Sequence, residues 1–128
     1  MSGIINISKL KIPPERHELM VAKVFSELGY DVDFIAPSNI PDIHTPDIKM
    51  NGVEWEIKSP KGKGKHTIER NVSNALLQSK NIIFDLSRIN IPEDICISLL
   101  KREFEVKNTI KQLYIVKRDK SVVLLSRK

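Results

Sequence analysis

The sequence predicts one α/β domain, a mixed β-sheet flanked by helices, and three observations carry that expectation. An apolar stripe at helical spacing runs between Pro14 and Leu28. Two strand-like runs are joined by Asn51-Gly52. Helical and extended patterns then alternate twice more before the C-terminus. The 128 residues suit a single domain, 1–128, with a hydrophobic core of its own, and no linker or internal repeat divides them.

In the first helix, Pro14 to Leu28, residues Val21, Ala22, Phe25 and Leu28 form the apolar stripe. Pro14 suits the first turn and Gly29 the left-handed position after the last. Tyr30 to Ala36 alternates as a strand, and Pro37 to Thr45 is a loop. Ile48–Met50 and Val53–Lys58 are strands of a hairpin, because both residues of an Asn-Gly turn adopt positive φ readily. A second helix is expected over Thr67 to Gln78, a buried strand over Asn81 to Leu86, and a third helix over Pro92 to Phe104. Leu113–Val116 and Val122–Leu125 complete the chain as a hairpin about Arg118-Asp119-Lys120.

Composition narrows the function classes. Hydrophobic residues at 41% and charged residues at 29% are a globular balance, which excludes a disordered chain. Lys plus Arg exceed Asp plus Glu by 21 − 16 = 5, so the surface favours an anionic partner such as nucleic acid, although many unrelated domains carry this charge. Cys96 is the single cysteine, so the fold must stand without an internal disulfide; set among Ile95, Ile97 and Leu99, it reads as core. No apolar run is long enough to span a membrane and no membrane partner is expected. Met1 to Lys11 has no signal-peptide pattern, which fits a reducing cytoplasmic workplace or a fragment of a longer secreted chain.

The hairpin carries the candidate chemistry. With a two-residue turn, Met50 faces Val53, Lys49 faces Glu54, Ile48 faces Trp55, and Asp47 faces Glu56. Side chains alternate, so Ile48, Met50, Val53, Trp55 and Ile57 form the buried face; Asp47, Lys49, Glu54, Glu56 and Lys58 form the other. Directly opposed carboxylates repel. A divalent cation shared by Asp47 and Glu56 relieves that repulsion, and hard oxygen ligands suit Mg²⁺ or Mn²⁺, with Zn²⁺ as an alternative. Lys58 projects beside them, where an ammonium can orient or deprotonate water or stabilise phosphate charge. The plainer account is a charged, solvated sheet face with one repulsive pair. Glu18 lies about 20° from the apolar stripe of the first helix, since it precedes Phe25 by seven positions. It either joins the metal site or serves the helix N-terminus, where the dipole favours acids.

After the second hairpin strand come Ser59-Pro60-Lys61-Gly62-Lys63-Gly64-Lys65-His66. Lys61, Lys63 and Lys65 on a flexible loop make a phosphate clamp or, more simply, a solvated loop; the glycine spacing is not that of a P-loop. Thr67, Asn71, Asn74 and Gln78 form an uncharged polar stripe on the second helix. Thr67 and Gln78 are the candidates for substrate contact, with Thr67 alternatively a helix cap.

With these residues in place, the chain resembles the PD-(D/E)XK nuclease superfamily. Pro46-Asp47 stands for the first part of the motif and Glu56-Ile57-Lys58 for the second. A narrower likeness is to the CdiA-type C-terminal toxin nuclease domains of contact-dependent growth inhibition and related polymorphic toxins. The run from Glu56 to Gly62, then Lys65, Thr67-Ile68, Gln78-Ser79 and Asn81-Ile82-Ile83, is similar to that family's signature. The resemblance implies a restriction-endonuclease-like core and a metal-dependent endonuclease acting on RNA, with tRNA favoured. Catalysis would rest on Glu18, Asp47, Glu56 and Lys58. It also implies a cognate immunity protein, delivery as the C-terminal domain of a secreted protein, and action in a bacterial cytoplasm. The same centre acting on DNA, as an endonuclease or junction resolvase, is an alternative. So are a metal-free ribonuclease using His17, His44 or His66, and a non-catalytic nucleic-acid-binding relative.

Overall fold

The computed structural model describes residues 2–127. It contains β1 (Ile5–Asn6), α1 (Arg16–Glu27), β2 (Val32–Phe34), β3 (Ile48–Met50), β4 (Val53–Lys58), α2 (Thr67–Ala75), β5 (Asn81–Asp85), α3 (Glu93–Val106), β6 (Gln112–Val116) and β7 (Val122–Ser126). All seven strands join one sheet in chain order, with parallel pairs β1–β2, β4–β5 and β5–β6 and antiparallel pairs β2–β3, β3–β4 and β6–β7. The expected mixed sheet flanked by helices is therefore present.

The sheet separates two cores. On one side, Val21, Ala22, Val24 and Phe25 of α1 pack against Val32, Phe34, Ile48, Met50, Trp55, Ile57 and Ile83. On the other, Ile68, Val72 and Ala75 of α2 and Cys96 and Leu100 of α3 cover Ile82, Phe84, Leu113 and Ile115. Cys96 is fully buried, as its neighbours suggested. The hairpin turn also forms as expected: Asn51 and Gly52 have φ of 49° and 79°, and Met50, Lys49 and Ile48 face Val53, Glu54 and Trp55.

Three features depart from the sequence reading. Strand β1 was absent from it; two residues, Ile5 and Asn6, carry too little pattern to stand out. Their attachment depends on Gly3, whose N–H bonds to the Ser26 carbonyl at 2.7 Å and whose missing Cβ would fall 1.9 Å from the Tyr30 oxygen. The second helix stops at Ala75, short of Gln78. The Lys/Gly loop is anchored rather than free: Gly62 bridges Ile89 and its carbonyl accepts the Asn90 N–H at 2.8 Å. Among the described residues, no helix is long and apolar enough to cross a membrane.

Candidate active site

The C-terminal ends of the parallel strands β4 and β5 and the N-terminal end of the antiparallel β3 lie along one edge of the sheet. In parallel sheets this is where sites gather, because loops diverge from the strand ends and leave a crevice. The first turn of α1 stands over the same edge.

Asp47 reaches the site in a way that strand alternation alone does not describe. The β3–β4 ladder ends at Ile48 facing Trp55, so the expected direct pairing of Asp47 with Glu56 does not form. Instead the Asp47 N–H also bonds to the Trp55 carbonyl, at 3.0 Å, and the Asp47 carbonyl accepts the Ile35 N–H of the neighbouring segment at 3.0 Å. The cause is Pro46. The next bonded pair of an antiparallel ladder would be residues 46 and 57, and proline has no N–H to offer. With that pair not formed, the Ile57 N–H turns to the Asp47 side chain, with Oδ2 accepting at 2.7 Å. The register directs the Ile57 carbonyl to the same side, where Pro46 cannot meet it.

Glu56 is 5% exposed. Its Oε1 has no hydrogen-bond partner among the described residues, while Oε2 lies 3.5 Å from Lys58 Nζ. Burial, then the charge of Asp47, pushes the Glu56 pKa up to about 8; Lys58 opposes that shift. The two acids therefore meet around the strand end although they are not ladder partners. Glu18 is half-buried and joins from α1. Its Oε1 accepts the Glu15 N–H at 3.0 Å in a capping box, and burial together with the Asp47 charge raises its pKa. Glu18 thus serves the helix N-terminus as a cap while standing beside Asp47. Glu18 and Asp47 share the wall of a 510 Å³ cavity closed by Leu10, Ile12, Phe34 and Ile35.

Among the described residues, no three or more His, Cys, Asp or Glu side chains converge on one ion position. Glu18 is held back by its cap. Asp47 and Glu56 nevertheless fit a Mg²⁺-type ion, which commonly takes one or two carboxylates and fills its remaining positions with water. The orphaned Glu56 oxygen, the Asp47 carboxylate and the Ile57 carbonyl, to which Pro46 has no N–H to offer, are all oxygen donors suited to a hard cation.

The remaining candidates are more dispersed. Lys61, Lys63 and Lys65 are exposed on the anchored loop beyond Lys58. Thr67 does not cap its helix through its side chain; it is buried beneath the loop, and its Oγ1 would lie 3.4 Å from a Cβ at Gly64. Gln78 lines a different cleft of 830 Å³ with Lys49, Glu54, Lys80 and Lys111, and its Oε1 is buried without a partner among the described residues. Of the histidines, His44 and His66 are exposed, whereas His17 enters the site. Burial and the nearby Arg88 lower its pKa, against the charges of Glu15, Asp85 and Asp47.

Sequence reasoning passed over Asp85 and Arg88. Asp85 is fully buried at the end of β5, where its Oδ2 accepts from Ser59 Oγ at 2.6 Å and Ser87 Oγ at 2.7 Å, and its Oδ1 from the Ser87 N–H at 3.1 Å. Arg88 donates through Nε, at 2.9 Å, and Nη2 to the Ser59 carbonyl. An acid inside an otherwise apolar strand was the available signal, since buried carboxylates require partners.

A mixed α/β/α domain with paired acids at a strand end is the class that fold and site define. Comparison with known proteins narrows it. Residues 44–122, over half of the chain, match the family described as the contact-dependent growth inhibition CdiA C-terminal domain. The chain belongs to this family of bacterial toxin domains. The fold is similar to that in a solved CdiA-CT/CdiI toxin and immunity complex from Burkholderia pseudomallei, with a TM-score of 0.67 at 16% identity, covering 98% of this chain and 100% of that one. A search of curated proteins returned no match.

Proposed function

We propose that this toxin domain is a metal-dependent endonuclease that hydrolyses phosphodiester bonds in RNA, with tRNA as the favoured substrate. One observation carries the reading: a buried glutamate with an unpartnered oxygen, pressed against a second carboxylate and beside a lysine. Folding alone gains nothing from this arrangement, because a buried polar atom without a partner costs about 1–3 kcal/mol.

Asp47, Glu56 and the Ile57 carbonyl would hold the cation, Mg²⁺ or Mn²⁺ first and Zn²⁺ as an alternative. When bound, it supplies Lewis-acid polarisation of the phosphate and lowers the pKa of a coordinated water. Lys58 orients the attacking water or balances charge on the phosphate, and its contact with Glu56 keeps its ammonium at the strand end. Asp47 is aimed by the Ile57 N–H, and Glu18 assists from the α1 cap. Lys61, Lys63 and Lys65 draw the nucleic-acid backbone toward the site; Gln78 would contact substrate only where it runs on into the separate cleft, and Thr67, buried beneath the loop, would support the loop rather than touch substrate. By the same reading, a cognate immunity protein binds this domain, as in the Burkholderia toxin and immunity complex. The domain would be delivered at the C-terminus of a secreted protein and act in the bacterial cytoplasm.

The test is incubation with a total tRNA pool and with duplex DNA in Mg²⁺, Mn²⁺ or chelator. Cleavage of tRNA that stops in chelator and in Asp47→Ala or Glu56→Ala is the expected result. Full activity in either variant, or cleavage indifferent to chelator, overturns it; cutting of DNA alone moves the same centre to another substrate.

A further inference from the structure

The geometry points to Arg88 as a phosphate-binding residue of the substrate groove, aimed there by Ser59 and Asp85. The inference rests on the nucleic-acid reading above and extends it to a residue that no sequence motif marked.

Arg88 is exposed, yet its guanidinium is fixed along one edge. Nε and Nη2 donate to the carbonyl of Ser59, the residue immediately after Lys58. Nε also approaches Ser59 Oγ at 3.3 Å, and that hydroxyl is itself held by buried Asp85 at 2.6 Å. Among the described residues Nη1 has no hydrogen-bond partner and no carboxylate lies within 4.0 Å of the guanidinium. A planar fork with one edge anchored and the other free is pre-organised for an oxyanion, because the side-chain entropy of ordering it is already spent.

Its position gives the free edge a use. Arg88 is followed directly by Ile89 and Asn90, the two residues that pin Gly62 of the lysine loop. The Arg88 charge is also felt by His17 on the first turn of α1, next to Glu18. Lys58, the lysine loop and Arg88 therefore share one rim of the site. Arg118 is also fixed nearby, its Nη2 donating to the Ile89 and Ile91 carbonyls at 2.8 and 2.7 Å, but it does not touch Ser59. Arg127 differs, with its donors on the Ile110, Phe104 and Lys107 carbonyls and its guanidinium stacked on Phe104.

Binding, not cleavage, tests the assignment: affinity for a total tRNA pool in chelator, followed from 50 to 200 mM salt for the unmodified chain, Arg88→Ala, Arg88→Gln and Arg102→Ala. Each lost phosphate contact lowers the slope of log K against log salt by about 0.7–0.9. Arg88→Ala should lose that much slope, with weaker binding at every salt, and the surface control Arg102→Ala should lose none. Thermal melting is followed in parallel. If Arg88→Ala melts early, Arg88→Gln decides, because an amide can still donate to Ser59 but carries no charge. Reduced slope at normal melting upholds the assignment; the unmodified slope in Arg88→Gln makes Arg88 a backbone staple and overturns it. Reduced slope in a chain that cuts no tRNA leaves Arg88 standing while the catalytic reading falls. Normal cleavage with an unchanged Arg88→Ala slope does the reverse, and absence of tRNA binding overturns both.

Discussion

Two buried carboxylates on adjacent strands meet opposite fates. Asp85 ends β5 with donors from Ser59 Oγ, Ser87 Oγ and the Ser87 N–H. Glu56 on β4 has an oxygen with no donor among the described residues, an acid for a neighbour, and only Lys58 in its favour. Both are nearly inaccessible, so burial does not separate them. Satisfaction does. A carboxylate whose oxygens are met by the fold is part of the scaffold, and one left unmet is a demand for something the fold does not contain. Here the scaffold acid anchors the strand end that presents the demanding one.

The sharpest way to break this contrast is Glu56→Gln. Cleavage should fall on the order of 10³-fold, as when a transition-state stabilising group is removed. The metal-free protein should nonetheless melt higher at pH 7, because the amide is neutral without having to hold a proton that the unfolded glutamate would release. Lower melting, measured by circular dichroism, would place Glu56 with the scaffold. Asp85→Ala should do the opposite. Stranding three donors costs about 2–4 kcal/mol, seen as a melting point lower by about 10 °C.

A smaller effect concerns pH. The folded chain holds the Glu56 proton up to about 8, against an ordinary value of 4.5, so unfolding releases it within that window. Stability of the metal-free chain should be fullest below pH 4.5, as far as this group is concerned, and decline as pH rises toward 8. Melting curves of Glu56→Gln should lack that decline, and saturating Mn²⁺ should reverse it in the unmodified chain by mass action. An equal decline in both chains would remove Glu56 as its source. The smallest effect is Ser59→Ala, which withdraws one donor from Asp85 and should cost about 1 kcal/mol in denaturant unfolding.

Much of this contrast was legible in the residues. Asn51-Gly52 set the register of Ile48, Lys49 and Met50 against β4, and the Glu56-Ile57-Lys58 alternation placed Ile57 in the α1 core with Lys58 and Glu56 turned from it. The same rule misplaced Asp47, because alternation assumes an intact ladder and Pro46 interrupts it. Glu18 was legible from its phase on α1. Arg88 was not, since a residue in a bend after β5 has no periodicity to betray its direction.

By itself the sequence determined the helices, the hairpin and which residues face inward, since these follow from spacing over a few neighbours. Only the tertiary structure decided that Glu18, Asp47 and Glu56 converge and that Ser59 and Asp85 lock Arg88 beside Lys58. Those meetings depend on parallel pairing between segments far apart in the chain, and local spacing holds no record of such a crossing.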